Sequence, residues 1–478
     1  MTLTIGILTF NCARAPINPI LLSSHLSSVF FSTTHDAAPP DILCFSLQEV
    51  APIAYAFLGG SYLSPYLLQF HNVVQLLSFE GNLSGEDEYT HILTRNVGMT
   101  AIILFAKRSL AGNVRNIETA GVGTGLWEMG NKGAVGVRLG LTSEIDPQPQ
   151  DSDADDDSED LTLLYTTFIA AHLAPAETGL ERRNKDWENI VRRLSFMRTI
   201  SASPTSQGSS SETLPLLAPS PTNSVPTSIY SPPTPTFLAG DLNYRTASQP
   251  PSASSPLVFP SASPNTPADA PTHFTYLLPN DQLTRERNAH RTCHGFDEAP
   301  IKFPPTYKYS SEAMARADKA AANKPLPPNQ SKPQSDYASH RWPSWCDRIL
   351  SLSPSPPSGT PNTSSAASPT EPNTIKTHHY TSLPLLPSSD HQPVVQISSI
   401  PSTPPSPADL AASKPPFPLT PHSTAQRLRA SARRLEVVVG VLAYLALTWK
   451  GRGIVAAVLV GGVGGWWLVG GLLSSTRP

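Results

Sequence analysis

Cysteine is scarce in this chain, with 4 residues in 478. Cys12, Cys44, Cys293 and Cys346 are too scattered for a C-x-x-C metal or redox motif, and too few for a disulfide framework. A cleavable leader is also lacking: MTLTIGILTF is apolar but short, with no basic start and no cleavage site. Together these absences point to free thiols in a reducing compartment. A charge excess is missing as well. Lys and Arg number 34 against 37 Asp and Glu, a formal net charge of -3. No global basic footprint for nucleic acid is present, and none is expected as a partner.

Proline is the excess, at 51 residues. It gathers with Ser and Thr into stretches that cannot bury a core. Low-complexity inserts are expected near 146–160, 201–235, 247–270, 311–335 and 353–375, and a Pro-rich linker over 401–426. Between them lie segments of ordinary composition. The spacing predicts strands at 2–11, 41–50, 100–108, 133–141, 161–173, from 237, at 342–352 and before 400, with helices at 17–31 and 177–195.

The strands share a feature. Apolar runs end in polar residues suited to chemistry: Asn11, Glu49, His172, Asp241 with Asn243, and Asp390 with His391. In FLAGDLNYR (237–245), Asp241 and Asn243 are two apart, so at a strand end they point at one site. Glu49 is a hard oxygen ligand suited to Mg²⁺, and Asn11 can support the metal or its water. Asp241 can orient and deprotonate a water, Asn243 can donate to a developing oxyanion, and His172 and His391 can donate to phosphate. A histidine in that role needs its other nitrogen fixed by an acceptor, and Asp347 and Asp390 are candidates. Such a set describes metal-assisted hydrolysis.

The C-terminal part reads differently. Residues 454–473, IVAAVLVGGVGGWWLVGGLL, form an uncharged apolar run of about 20 residues, the length that spans a bilayer core. Basic RLRASARR (427–434) precedes it within a basic and apolar segment over 427–453. A tail anchor with the large N-terminal part in the cytosol is expected. The shorter run 437–449 is expected to lie at the interface or form a hairpin with the span, since no core partner is evident beyond a Pro-rich linker.

Several segments carry a family resemblance: TFNCAR (9–14), LQEV (47–50), GNKGAVGVRL (130–139), AHLAPAE (171–177), FLAGDLNYR, DQL (281–283), GFDEAPIKFPPTYKY (295–309), PSWCDRIL (343–350) and SDHQPV (389–394). With them, residues 1–400 resemble the catalytic domain of the inositol polyphosphate 5-phosphatases, within the DNase I-like endonuclease/exonuclease/phosphatase superfamily. FPPTYKY and PSWCDRIL are the pieces that nucleases of that fold lack.

The resemblance implies an α/β fold, a four-layered α/β sandwich of two mostly antiparallel β-sheets flanked by helices. It implies Mg²⁺ at Glu49 with Asn11 close by, Asp241 and Asn243 at the attacking water and scissile phosphate, His391 paired with Asp347, and His172 on the phosphate. It further implies that Asn131, Lys132, Lys308 and Arg348 line the inositol phosphate pocket, with Tyr244 and Arg245 shaping or contacting it. The family usually has Trp at the position of Phe10 and Arg at that of Gln392. With the anchor, the chain is similar to tail-anchored members of the endoplasmic reticulum that act on phosphatidylinositol 4,5-bisphosphate. The alternatives are another hydrolase of the fold, such as a nuclease or sphingomyelinase, and a tether that binds phosphoinositide without cleaving it. No protein partner is readable.

Overall fold

The computed structural model describes residues 2–32, 38–142, 163–201, 227–322, 336–354, 374–401 and 414–475, with the backbone alone at 199–201 and 468–475. The strands are β1 (Leu3–Asn11), β2 (Ile42–Gln48), β3 (Tyr89–Val97), β4 (Thr100–Lys107), β5 (Val114–Gly123), β6 (Gly133–Thr142), β7 (Leu163–His172), β8 (Met197–Ser201), β9 (Thr236–Asp241), β10 (Asp347–Leu352), β11 (Lys376–Ser382) and β12 (Val394–Ile400). The helices are α1 (Pro19–Phe30), α2 (Ile53–Leu58), α3 (Ser64–Glu80), the single turn α4 (Arg108–Ala111), α5 (Leu180–Arg193), α6 (Gln282–Asn288), α7 (Ser311–Ala321), α8 (His422–Leu447) and α9 (Trp449–Ser475).

Two six-stranded sheets result, ordered β11-β12-β1-β2-β4-β3 and β10-β9-β7-β6-β5-β8. Each has one parallel pair, β1 with β2 and β7 with β9, and is otherwise antiparallel. Strand alternation explains the layering. Ile5 and Ile7 of β1, Cys44 of β2, Val135 and Val137 of β6 and Phe237 of β9 face the gap between the sheets. Leu8, Phe10, Phe45 and Ile103 face outward onto α1 and α3. Ile169, Leu238 and Leu350 face outward onto Trp187 and Ile190 of α5. Three cores separate four layers, as the resemblance implied. All four cysteines are buried and unbridged.

Several sequence expectations need correction. Within the stretch 247–270, Phe259 is buried and packs on Trp342, with ring centroids 5.4 Å apart and planes tilted by 55°, while the neighbouring Leu257 and Val258 stay exposed. Composition misled there because one aromatic suffices to pin a Ser/Pro-rich loop. Likewise Ile229 and Tyr230, inside the expected insert 201–235, are buried on the α5 side. Residues 311–321 form α7, whose N-cap Ser310 accepts from the Ala313 amide. The insert 146–160 and the remaining parts of the others, 202–226, 323–335 and 355–373, lie outside the described residues.

The largest correction concerns the C-terminal segment. It does find a core partner. Leu435 and Val439 of α8 pack against the outer core beside α2, and Phe417, in the expected linker, packs against the α5 core. Among the described residues no helix is long and apolar enough to cross a membrane. The span expected over 454–473 runs into 468–473, whose side chains lie outside the described residues.

Candidate active site

Register brings the polar strand ends together. His172 sits opposite Asp241, and Asp241 opposite Asp347, at one edge of the second sheet. Each follows the alternation of inward-facing apolar residues (Phe168 and Ala170, Phe237 and Ala239, Ile349), so all three side chains point into the mouth of the gap between the sheets. From the first sheet, Asn11 ends β1 on the same inward face as Ile5 and Ile7. Its Nδ2 donates to Asp241 Oδ2 at 2.9 Å, and its Oδ1 accepts from the Ala13 amide at 3.0 Å.

Glu49 follows β2 with φ of 46°, in the left-handed region. Hydrogen bonds from Cys12 N to Gln48 O and from Arg14 N to Glu49 O hold the turn. Asn243, Arg14 and Trp127 also have positive φ, at 58°, 65° and 51°. Non-glycine residues in this region cost about 1–3 kcal/mol each and persist where surrounding structure over-determines them. Here they cluster on the loops that carry the polar set.

Asp241 is the hub. Besides Asn11, its carboxylate accepts from the Asn243 amide at 3.1 Å, and His172 Nε2 lies 3.2 Å away. Burial would raise its pKa, but His172, His391 and Lys132 together hold it far below the ordinary carboxylate range. His172 is fully buried between Asp241 and the Lys132 ammonium, and burial together with Lys132 lowers its pKa, which favours the neutral ring. Glu49 meets Arg14 Nε at 2.6 Å and Lys132 Nζ at 3.8 Å. Against the desolvation that would raise it, His172, Arg14 and Lys132 lower its pKa.

His391 settles between two aspartates. Its Nδ1 faces Asp347 Oδ2 at 2.9 Å, and its Nε2 is 4.0 Å from Asp241. Asp390, the other candidate acceptor, instead takes Lys308 Nζ at 2.6 Å. Burial alone would lower the His391 pKa, but Asp347 and Asp241 raise it to about 9. The imidazolium can therefore donate to an anion through neutral pH. The linkage follows: the folded state holds this proton more tightly than the unfolded one, so stability falls as pH rises from 6.5 through about 9. Urea unfolding at pH 6, 7.5 and 9 is expected to show that decline in the wild type and a shallower one in His391→Asn. Equal slopes would count against the pairing.

The remaining expected residues divide. Arg245 is buried, bonds Asn243 O at 2.9 Å, and lies over the Tyr307 ring, 4.5 Å from its centroid. One of its nitrogens, Nη1, is buried without a partner, as is Asn131 Oδ1. Buried polar atoms without a partner call for a water, an ion or a ligand to satisfy them. Tyr244, in contrast, points into the α5 core, its hydroxyl hydrogen-bonded to Asn184 Oδ1 and Thr292 Oγ1 at 2.8 Å each, so it does not contact the pocket. Arg348 is also a correction. It follows Asp347 in β10 and so faces the opposite side of the sheet, with no exposed surface, between Asp281 at 3.0 Å and Glu298 at 2.6 Å.

Residues missed from the sequence complete the site. Thr306 donates to Asp347 at 2.7 Å, and the Tyr307 ring packs on His391 with centroids 4.5 Å apart. Ser389 Oγ donates to Asn11 O at 2.7 Å and accepts from the His391 amide at 3.1 Å. Arg14 joins them beside Glu49. All four lie in the motifs quoted above, flanking the residues singled out, so position within the motif was the available signal.

The donor set suits a hard cation. Glu49, Asp241 and Asp347 supply carboxylates and Asn11 and Asn243 amides, an oxygen-rich group; the nearby Cys12 and Cys346 thiols are buried, which pushes their pKa up and keeps them from offering a thiolate. Ligand atoms of Asp241, Asp347 and His391 all lie within 4.8 Å of one another. The His391 ring, held as an imidazolium by Asp347 and Asp241, would repel a dication, so the oxygen donors fit one better than that ring does.

Comparison with known proteins agrees with this geometry. The family model for endonuclease/exonuclease/phosphatase family 2 matches residues 8–397. The chain is 26% identical over 266 residues to type IV inositol polyphosphate 5-phosphatase 3 of Arabidopsis thaliana, covering 55% of this chain and 30% of that protein. It is 27% identical over 323 residues to the polyphosphatidylinositol phosphatase INP53 of Saccharomyces cerevisiae, covering 65% and 21%. The chain thus spans less than a third of the length of either relative. Among solved structures, the inositol polyphosphate 5-phosphatase domain of SpSynaptojanin, in complex with inositol (1,4)-bisphosphate and calcium ion, shares the fold. The TM-score is 0.52 at 20% identity, covering 91% of this chain and 90% of that one.

Proposed function

We propose that this chain, which belongs to endonuclease/exonuclease/phosphatase family 2, is an inositol 5-phosphatase acting on phosphatidylinositol 4,5-bisphosphate at a membrane surface. The observation that carries the reading is Asp241, buried and ionised between Asn11, His172 and the His391–Asp347 pair. Such a carboxylate can orient an attacking water by accepting its hydrogen bond, and its negative charge polarises that water and balances the flanking imidazoles and Lys132. His391 donates to the phosphate oxygens. Lys132 and Arg245 supply further positive charge beside the site, and Lys308, paired with Asp390, lies at its rim. Charge-assisted bonds of this kind suit phosphate. Mg²⁺ would be held by Glu49 with Asn11 alongside, and when bound it would supply Lewis-acid stabilisation of charge on the phosphoryl oxygens.

The lipid part rests on separate support. Leu126 and Trp127 are 64% and 66% exposed at the tip of the β5–β6 turn, the turn that carries Asn131 and Lys132. Two exposed apolar side chains beside a phosphate site suit contact with a bilayer surface. The apolar run 454–473 behind a basic helix supports a tail anchor facing the cytosol, with the endoplasmic reticulum as its address by resemblance.

The deciding experiment measures phosphate release with Mg²⁺ from phosphatidylinositol 4,5-bisphosphate vesicles and from soluble inositol 1,4,5-trisphosphate. Release from vesicles that EDTA abolishes is expected. Trp127→Asp is expected to lower the vesicle rate about 10-fold or more, from lost apolar contact and added repulsion, while the soluble rate stays within about 2-fold. Equal loss on both substrates would remove the lipid-contact assignment. Binding without release from either would favour a tether.

A further inference from the structure

Helix α8 does more than lead out of the domain. Glu436 on α8 has no exposed surface, and its Oε1 accepts the Gly130 amide at 2.8 Å across 306 residues of sequence. Gly130 is two residues before Lys132. On its other side, Gly130 O accepts from Met99 N at 2.8 Å. A Cβ on Gly130 would stand 2.8 Å from Gly98 N, so that side has no room to give. The turn closes through Thr124 N to Lys132 O at 2.9 Å. The backbone entering Lys132 is thus clamped between the 98–99 turn and α8.

The clamp is itself braced. Arg429 and Arg433 both pair with the Glu436 carboxylate. Arg433 also donates to Phe57 O and Leu58 O, carbonyls at the C-terminal end of α2. Such carbonyls have no partner within their own helix. Gly440 lets the two helices meet closely: a Cβ there would lie 3.0 Å from Phe57 Cβ and 3.2 Å from Leu58 N. Further along, Tyr444 packs edge-on against Tyr62 with centroids 5.4 Å apart.

A buried carboxylate is costly unless it is paired and hydrogen-bonded. Two arginines would satisfy this one, yet Oε1, which already takes Arg429 Nη1, also accepts the backbone amide beside Lys132. We propose that Glu436 is a positioning residue: through the Gly130 amide it sets the turn that presents Asn131 and Lys132, so that α8 must be docked on α2 for full turnover. This rests on the phosphatase reading for its effect on rate, but not for its effect on the turn.

The test uses the full chain and two readouts. One is hydrogen exchange in the 124–132 segment. The other is kcat and KM on soluble inositol 1,4,5-trisphosphate. Glu436→Ala is expected to speed exchange about 10-fold in 124–132 and to lower kcat/KM about 10- to 100-fold, since small misplacements of a binding group cost that much. Glu436→Gln keeps an oxygen acceptor for the Gly130 amide and is expected to restore both readouts to within about 3-fold of wild type. On a Lys132→Ala background, Glu436→Ala is expected to add less than about 2-fold to the loss. Gly440→Leu, which pushes α8 off Phe57, is expected to reproduce the exchange signature and serves if Glu436→Ala does not fold. Unchanged exchange in 124–132 for the alanine and leucine variants would overturn the proposal. So would equal losses in the alanine and glutamine variants that track their melting temperatures. A wild-type chain that releases no phosphate would overturn the phosphatase reading instead, and exchange alone would then decide the positioning role.

Discussion

Asp241→Asn is expected to lower kcat/KM for phosphate release by about 10³- to 10⁴-fold, toward the upper end of what removing one acid–base group costs. The variant is nearly isosteric, so the site should keep its shape. Its charge is what disappears. Asn11 Nδ2 at 2.9 Å and the Asn243 amide at 3.1 Å both donate to this carboxylate, and His172 Nε2 lies 3.2 Å from it. An amide in its place can still accept, but it brings no negative charge to polarise the water or to balance the flanking cations. His391 would also lose one of the three carboxylates that raise its pKa, Asp347, Asp241 and Asp390. Its protonated form should therefore titrate at lower pH, and the residual activity should fall off earlier on the alkaline side. The measurement is a pH–rate profile on soluble substrate alongside thermal melting. A loss of less than about 10-fold with an intact melting transition would remove Asp241 from the chemistry.

The same residue shows how much was legible beforehand. Asp241, His172 and His391 were readable because each closes an apolar strand or follows a turn with its own motif, and because a sheet buried on both faces forces a near-continuous apolar run. Polar residues stand out at the ends of such runs. Their convergence depends on register, which the sequence does not state: His172 opposite Asp241 opposite Asp347 is a property of three strands from distant parts of the chain. The neighbours Thr306, Tyr307 and Ser389 were hidden for the same reason, since each acts across to another segment. Helix α3 was open to detection, because Phe70, Val73, Val74 and Leu77 are spaced at helical intervals and all are buried. Helix α8 was not. Its inward face, Leu435, Val439 and Gly440, makes sense only once α2 is in place, and its basic residues resemble a membrane-flanking segment when read alone.

Arg348 marks the boundary between motif and role, and its removal should have the largest effect on stability. Arg348→Met is expected to destabilise the fold by about 3–5 kcal/mol, the range for breaking a buried ion pair by taking one partner away. The guanidinium bonds Asp281 at 3.0 Å and Glu298 at 2.6 Å with no exposed surface, and Asp281 also caps α6 through the Thr284 amide at 2.9 Å. Methionine would fill much of the volume but deprive buried Asp281 of its cation and leave Glu298 with only the longer Arg287 contact at 3.6 Å. Because alternate residues of β10 face opposite sides, Asp347 keeps its bonds to His391 and Thr306. Specific activity per folded molecule should therefore stay within about 3-fold of wild type at low temperature. Chemical unfolding at pH 7.5, paired with phosphate release, separates the two roles. A stable variant that has lost substrate affinity would return Arg348 to the phosphate pocket, whereas an unstable but competent one makes it the buried cation that joins α6 to the second sheet.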